Sequence, residues 1–91
     1  MDTYFLNFVF SKKFLISEIT SQIRKTGKNL LEDVFLIDAF EDIKLGEDYV
    51  SYTFRLSYRD KGKTLLDSDI SSIHSNIISS IEKCFSTKLR N

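Results

Sequence analysis

Residues 50–59 constrain this chain more than any other stretch. Val50, Tyr52, Phe54, Leu56 and Tyr58 alternate there without a break with Ser51, Thr53, Arg55, Ser57 and Arg59. Period two marks a β-strand between two unlike environments, because successive side chains leave a pleated backbone on opposite faces. The apolar set must enter a core. The other set, basic and hydroxylated, must meet solvent or a ligand. A lone strand cannot be stable in this way, so the remaining residues have to supply neighbouring strands and a cover for the apolar side.

Residues 3–10 are rich in aromatic and β-branched types and read as a strand, apolar on both faces and so expected at the sheet centre. A polar stretch follows at 11–13, and Ser17 offers a hydroxyl to cap a helix. Ile16, Ile19 and Ile23 share one face of that helix, with Arg24, Lys25 and Lys28 near its end and Gly27 placed to stop it in a left-handed conformation. A strand is expected over 33–41, where Phe35, Ile37 and Ala39 alternate with Val34, Leu36, Asp38 and Phe40 and either set could face inward. Residues 44–48 form a connecting turn, and a second turn is expected at 60–63.

Asp67 and Asp69 suit the start of a second helix, in which Ile70, Ile73, Ile77 and Ile81 recur at three, four and four. Residues 85–90 can add a short edge strand. The order strand, helix, strand, strand, helix, strand predicts an α+β, ferredoxin-like βαββαβ sandwich, with an antiparallel sheet and both helices on one face. Ninety-one residues leave room for one core, so one domain over 1–91 is expected. Eight Phe and four Tyr let it form without disulfides or metal.

Thirteen basic and thirteen acidic residues cancel, but they are segregated along the chain. Lys12, Lys13, Arg24, Lys25 and Lys28 stand against Glu18 alone. Glu32, Asp33, Asp38, Glu41, Asp42, Glu47 and Asp48 stand against Lys44, and then Arg55, Arg59, Lys61 and Lys63 against Asp60. If the fold gathers the two basic segments, one side becomes cationic.

Enzymatic chemistry finds little purchase here. One cysteine, Cys84, forms no internal bridge and reads as a small buried hydrophobe, and His74 has no second histidine to share work as ligand or base. The CxxC pair of a metallochaperone is missing. The loop at Ser11-Lys12-Lys13 has no glycine to cradle the anion of an acyl-phosphate hydrolase. No apolar run spans a bilayer and no leader pattern opens the chain, so no membrane contact is expected and an aqueous, reducing compartment is. The open strand face suits RNA instead: Arg55 and Arg59 lie about 13 Å apart by the strand rise and can engage separate phosphates. Ser51, Thr53 and Ser57 beside them can bond bases or ribose hydroxyls.

Several short motifs, in order, carry a family resemblance. Leu31-Glu32-Asp33-Val34 leads into Ile37-Asp38-Ala39-Phe40; Leu45-Gly46-Glu47 precedes Ser51-Tyr52-Thr53-Phe54-Arg55-Leu56; Thr64-Leu65 precedes Asp67, Asp69 and Ile70. Over residues 8–90 the chain resembles the ferredoxin-fold anticodon-binding domain that ends phenylalanyl-tRNA synthetases, whether the bacterial β subunit or the organellar single-chain enzyme. It departs where the family has a proline and an arginine–aspartate pair, since Tyr4 and Phe5 stand there. Tyr49 and Val50 replace two lysines before the strand serine.

The resemblance implies a non-catalytic module of phenylalanine–tRNA ligase that recognises the anticodon stem-loop of phenylalanine tRNA. It implies RNA contacts at Ser51, Thr53, Ser57, Arg55 and Arg59, with Asp38 and Lys44 beside them. No cofactor is expected in this domain; ATP and Mg would act in the catalytic domains of the parent enzyme. The implied partners are the tRNA and the remaining domains or subunits of the synthetase, in the cytoplasm or alternatively in an organelle matrix. The competing expectation is a ferredoxin-like regulatory or assembly module that works through protein–protein contacts.

Overall fold

The computed structural model describes residues 2–59, 62 and 64–90. Three long strands, β1 (Asp2–Ser11), β2 (Leu31–Phe40) and β3 (Tyr49–Tyr58), form an antiparallel sheet in the order β1-β3-β2. Helix α1 (Ile16–Gly27) joins β1 to β2 through a 3-10 turn at Lys28–Leu30, and α2 (Asp67–Phe85) follows β3. The alternating strand is thus the central one. Its Phe54, Leu56 and Tyr58 are fully buried with Leu6, Phe8 and Phe10 of β1 beneath Ile19 and Ile23 of α1 and Ile70, Ile77 and Ile81 of α2. Both helices cover one face, as right-handed crossovers require, and the other face is bare among the described residues.

The fourth strand expected at 85–90 is reduced to a single bridge, Phe8↔Leu89. Phe85 instead ends α2 inside the core, and Ser86 turns the chain in a left-handed conformation. The outer edge of β1 is closed by that bridge, by the Arg90 N–H donating to the Asn7 carbonyl (2.8 Å) and by the Thr87 hydroxyl donating to the Val9 carbonyl. β1 is therefore flanked on one side by β3 and on the other by very little. Its second apolar face, which suggested a central strand, belongs to the bare side of the sheet.

β2 carries two irregularities. Leu31 pairs Tyr58 and Asp33 pairs Ser57; Leu36 pairs Phe54 and Asp38 pairs Thr53, so Glu32 and Ile37 are each an extra residue. Such bulges reset which side a residue faces. Strict alternation from Phe35 onward would turn Asp38 and Phe40 toward the core; the extra residue at Ile37 keeps both on the bare face.

Other local expectations change. α1 begins two residues earlier than a Ser17 cap would have it: the Leu15 N–H donates to the Glu18 carboxylate (2.8 Å), and the same arrangement joins Leu66 to Asp69 (3.2 Å) at α2. An acidic third residue satisfies a free N–H at each start, so no cap hydroxyl is needed. Gly27 stays right-handed (φ −71°), and Lys28 takes the positive φ of 52°. What requires glycine at 27 is space, since a Cβ there would lie 2.7 Å from Leu31 Cβ. Cys84 is exposed rather than buried, because it falls on the outer side of α2. The turn expected at 60–63 lies, Gly62 apart, outside the described residues.

Candidate nucleic-acid interface

The pairing of the strands lays out the bare face row by row. Thr3, Ser57 and Asp33 make one row; Phe5, Arg55 and Phe35 the next; then Asn7, Thr53 and Asp38; then Val9, Ser51 and Phe40. Arg55 is thus centred between two phenylalanines on the neighbouring strands. Its guanidinium carbon lies 5.3 Å from the Phe35 ring centroid, within cation–π range. Phe5 (50% exposed), Phe35 (48%) and Phe40 (50%) each keep half their surface in water. A large apolar ring held half-exposed on a flat sheet, beside a cation, is the arrangement on which an unpaired base stacks.

Between these rings lies a hydrogen-bonded patch. The Asn7 side-chain amide donates toward Ser51 Oγ (2.8 Å), Thr53 Oγ1 (2.9 Å) and the Tyr52 carbonyl (3.1 Å). This tie crosses from β1 to β3 and fixes three polar side chains at once. A rigid polar surface loses less entropy when it orders a ligand than a mobile one does.

The residues expected at the site are placed unequally. Arg55 is exposed at the middle of the face. Arg59, just past β3, is also exposed and faces Glu32 at 3.9 Å, so part of its charge is already matched. Thr53 is half-buried, whereas Ser51 and Ser57 are buried between the side chains that flank them in their rows. Asp38 is exposed opposite Thr53. Lys44 sits apart from all of these in the β2–β3 turn, its N–H bonded to Asp42 Oδ1 (2.9 Å).

The described members of the two basic segments do not gather on one side; Lys61 and Lys63 lie outside the described residues. Arg24, Lys25 and Lys28 belong to α1 and its end, on the helix layer, while Arg55 lies on the opposite face of the sheet. Lys12, at the end of β1, pairs with Glu41, and that contact raises its pKa.

Reading the residues one strand at a time missed Phe5, Asn7, Phe35 and Phe40. Phe5 and Asn7 share a parity in β1 and could have been grouped once its partner was known. Phe40 could not, because its facing depends on the bulge at Ile37. Among the described residues no three His, Cys, Asp or Glu side chains gather as a metal site, and no helix is long and apolar enough to cross a membrane.

Comparison with known proteins adds the lineage. The phenylalanine–tRNA ligase beta subunit of Prochlorococcus marinus strain MIT 9312 is 81% identical over 86 residues, covering 94% of this chain and 11% of that protein. The beta subunit of Prochlorococcus marinus subsp. pastoris strain MED4 is 60% identical over 85 residues, 93% of this chain and 10% of that protein. That of Prochlorococcus marinus strain NATL2A is 43% identical over 82 residues, 90% of this chain and 10% of that protein. The chain spans about a tenth of the length of these curated relatives. The model of the ferredoxin-fold anticodon binding domain matches residues 6–90. With that match over nearly the whole chain, on a sheet whose bare face carries half-exposed rings around an arginine, the chain belongs to the ferredoxin-fold anticodon-binding domain family.

Proposed function

We propose that this chain is the tRNA-binding module of a phenylalanine–tRNA ligase and that it receives the anticodon stem-loop of phenylalanine tRNA on the bare face of its sheet. The row Phe5–Arg55–Phe35 carries this reading. Its two rings offer stacking platforms for loop bases, and the guanidinium between them meets a phosphate or a base edge. Thr53, held by Asn7, supplies a hydroxyl in the next row, with Ser51 and Ser57 lining the floor of the face, Arg59 just past the end of β3, and Lys44 apart in the β2–β3 turn.

The chemistry of aminoacylation, with its ATP and Mg, belongs to other domains of the parent enzyme, and this module binds no cofactor of its own. Its contribution is positional. Holding the far arm of the tRNA converts a loose encounter into one in which the acceptor end is already aimed at the active site. The compartment is that of the synthetase, the cytoplasm, and the partners are the tRNA and the remaining domains or subunits of the enzyme.

Titrating the 91-residue chain with an anticodon stem-loop RNA, followed by NMR, tests this directly. Shifts are expected at Phe5, Asn7, Phe35, Thr53 and Arg55, and shifts confined to α1 and α2 would defeat the reading. Phe35→Ala is expected to weaken binding by about 1–3 kcal/mol, the range for losing one stacked base. In the parent enzyme, Arg55→Ala with Arg59→Ala should reduce tRNA charging and leave amino-acid activation intact.

A further inference from the structure

The bare face has a charge gradient across it that the strand-by-strand sequence does not reveal. On the β2 side lie Asp33 and Asp38, and the hairpin beyond carries Glu41, Asp42, Glu47 and Asp48. On the β1 side the margin is cationic. The bridge Phe8↔Leu89 turns Leu89 toward the core, so by alternation its exposed neighbours Lys88 and Arg90 fall on the same side of the sheet as Arg55. Arg90 then extends the Asn7–Thr53–Asp38 row and Lys88 the Val9–Ser51–Phe40 row.

Lys83, in the last turn of α2, joins them around an open groove of about 550 Å³ whose floor includes Val9 and the buried Thr87. None of these three cations makes an ion pair with a described residue. Glu82, the acidic residue in the groove, is already engaged, its Oε2 accepting from the Leu89 N–H (3.1 Å).

We infer that Lys83, Lys88 and Arg90 seat the sugar–phosphate backbone of the bound RNA along the outer edge of β1, so that its bases point inward toward Phe35 and Phe40. The inference rests on the RNA-binding reading above and deepens it by fixing the direction in which the strand lies. A polyanion placed the other way round would run its phosphates over Asp33 and Asp38 and leave three cations unmatched. Placed this way, the phosphates meet the cations, the bases reach the half-exposed rings, and Arg55 stands between the two.

The test is binding of an anticodon stem-loop RNA to the 91-residue chain, by fluorescence anisotropy across a series of salt concentrations. The triple variant Lys83→Gln, Lys88→Gln and Arg90→Gln is expected to bind tenfold or more weakly at low salt. Its plot of log affinity against log salt should be shallower by about two, at roughly 0.7 per single-strand phosphate contact. Arg24→Gln with Lys25→Gln, on α1, should leave both unchanged. All five side chains are exposed, and circular dichroism verifies that each variant keeps its fold. A triple variant that retains the affinity and the slope overturns the backbone seat while leaving the open-face reading in place. Failure of the unsubstituted chain to bind overturns both. Direction is read separately from a nitroxide on a loop phosphorothioate: amide broadening stronger at residues 88–90 than at 35–38 is expected, and the reverse overturns the assignment.

Discussion

Tyr58 and His74 show how one buried polar contact ties sheet to helix. The phenol oxygen lies 2.7 Å from His74 Nδ1, with the Tyr4 ring 4.8 Å from the imidazole. Burial lowers the His74 pKa from 6.5 and raises that of Tyr58, so both stay neutral and the ring nitrogen accepts a hydrogen bond from the phenol O–H. Because the folded-state pKa lies below the unfolded one, the unfolded chain takes up the proton first as pH falls. The stabilisation is therefore full above 6.5 and drains away as pH drops through the folded value. Urea unfolding of the native chain between about pH 7.5 and 5.5 should show stability falling, and His74→Gln should flatten that slope. Tyr58→Phe is expected to cost about 1 kcal/mol at neutral pH, the usual net worth of one hydrogen bond. At this scale the sequence was a partial guide. Arg55 announced itself through alternation with apolar neighbours, but His74 looked isolated because its partner is a tyrosine from a different element, sixteen residues away.

At the scale of elements, period was legible and junctions were not. Both helices and β3 follow from spacing, the isoleucines at three and four and the strict alternation, while β1 follows from its aromatic and β-branched composition. Where an element ends depends on tertiary neighbours that spacing does not encode. Gly27 is the clearest case, since a glycine near a helix end suggests a left-handed stop, yet the positive φ falls on Lys28 (φ 52°, ψ −137°), outside the left-handed helical region. Replacing a right-handed helical glycine by alanine ordinarily stabilises, by up to about 1 kcal/mol. Here the sign should reverse. A Cβ at position 27 meets Leu31 Cβ at 2.7 Å, and because that atom is fixed to the start of β2, the strand itself must move. Gly27→Ala is expected to lower stability by about 1–3 kcal/mol, the range for overpacking, and a denaturant midpoint that rises would refute the steric account. The fourth strand shrinks to a bridge for a related reason: residues 85–90 have strand-like composition, but Phe85 is the last helical residue and packs against Phe10 and Phe14.

For the molecule as a whole, the two layers sort the charge that the linear sequence only segregates. Arg24, Lys25 and Lys28 lie on the helix layer, away from the sheet's bare side, and Lys12 is matched by Glu41, so the first cationic segment adds little free charge to that face. What replaces it comes from the other end of the chain, at Lys88 and Arg90. A face bearing Phe5, Phe35 and Phe40 is also apolar enough to bind another protein, which is how a regulatory or assembly module would use it. Sedimentation separates the two uses: a monomer at micromolar concentration is expected, since a symmetric dimer through this face would strip water from Arg55, Asp33 and Asp38. A tight dimer that protects Phe35 from solvent would transfer the face to the competing role.

The extra residue in β2 at Ile37 reaches beyond this one chain. A strand with regular alternation cannot change length by one without exchanging its inner and outer sets. This strand can, because excising Ile37 merges the two registers on either side of it and leaves Phe35, Asp38 and Phe40 where they were. Kin of this protein are thus free to differ in length at that spot, as surface connections do, while presenting the same chemistry to whatever lies on the sheet.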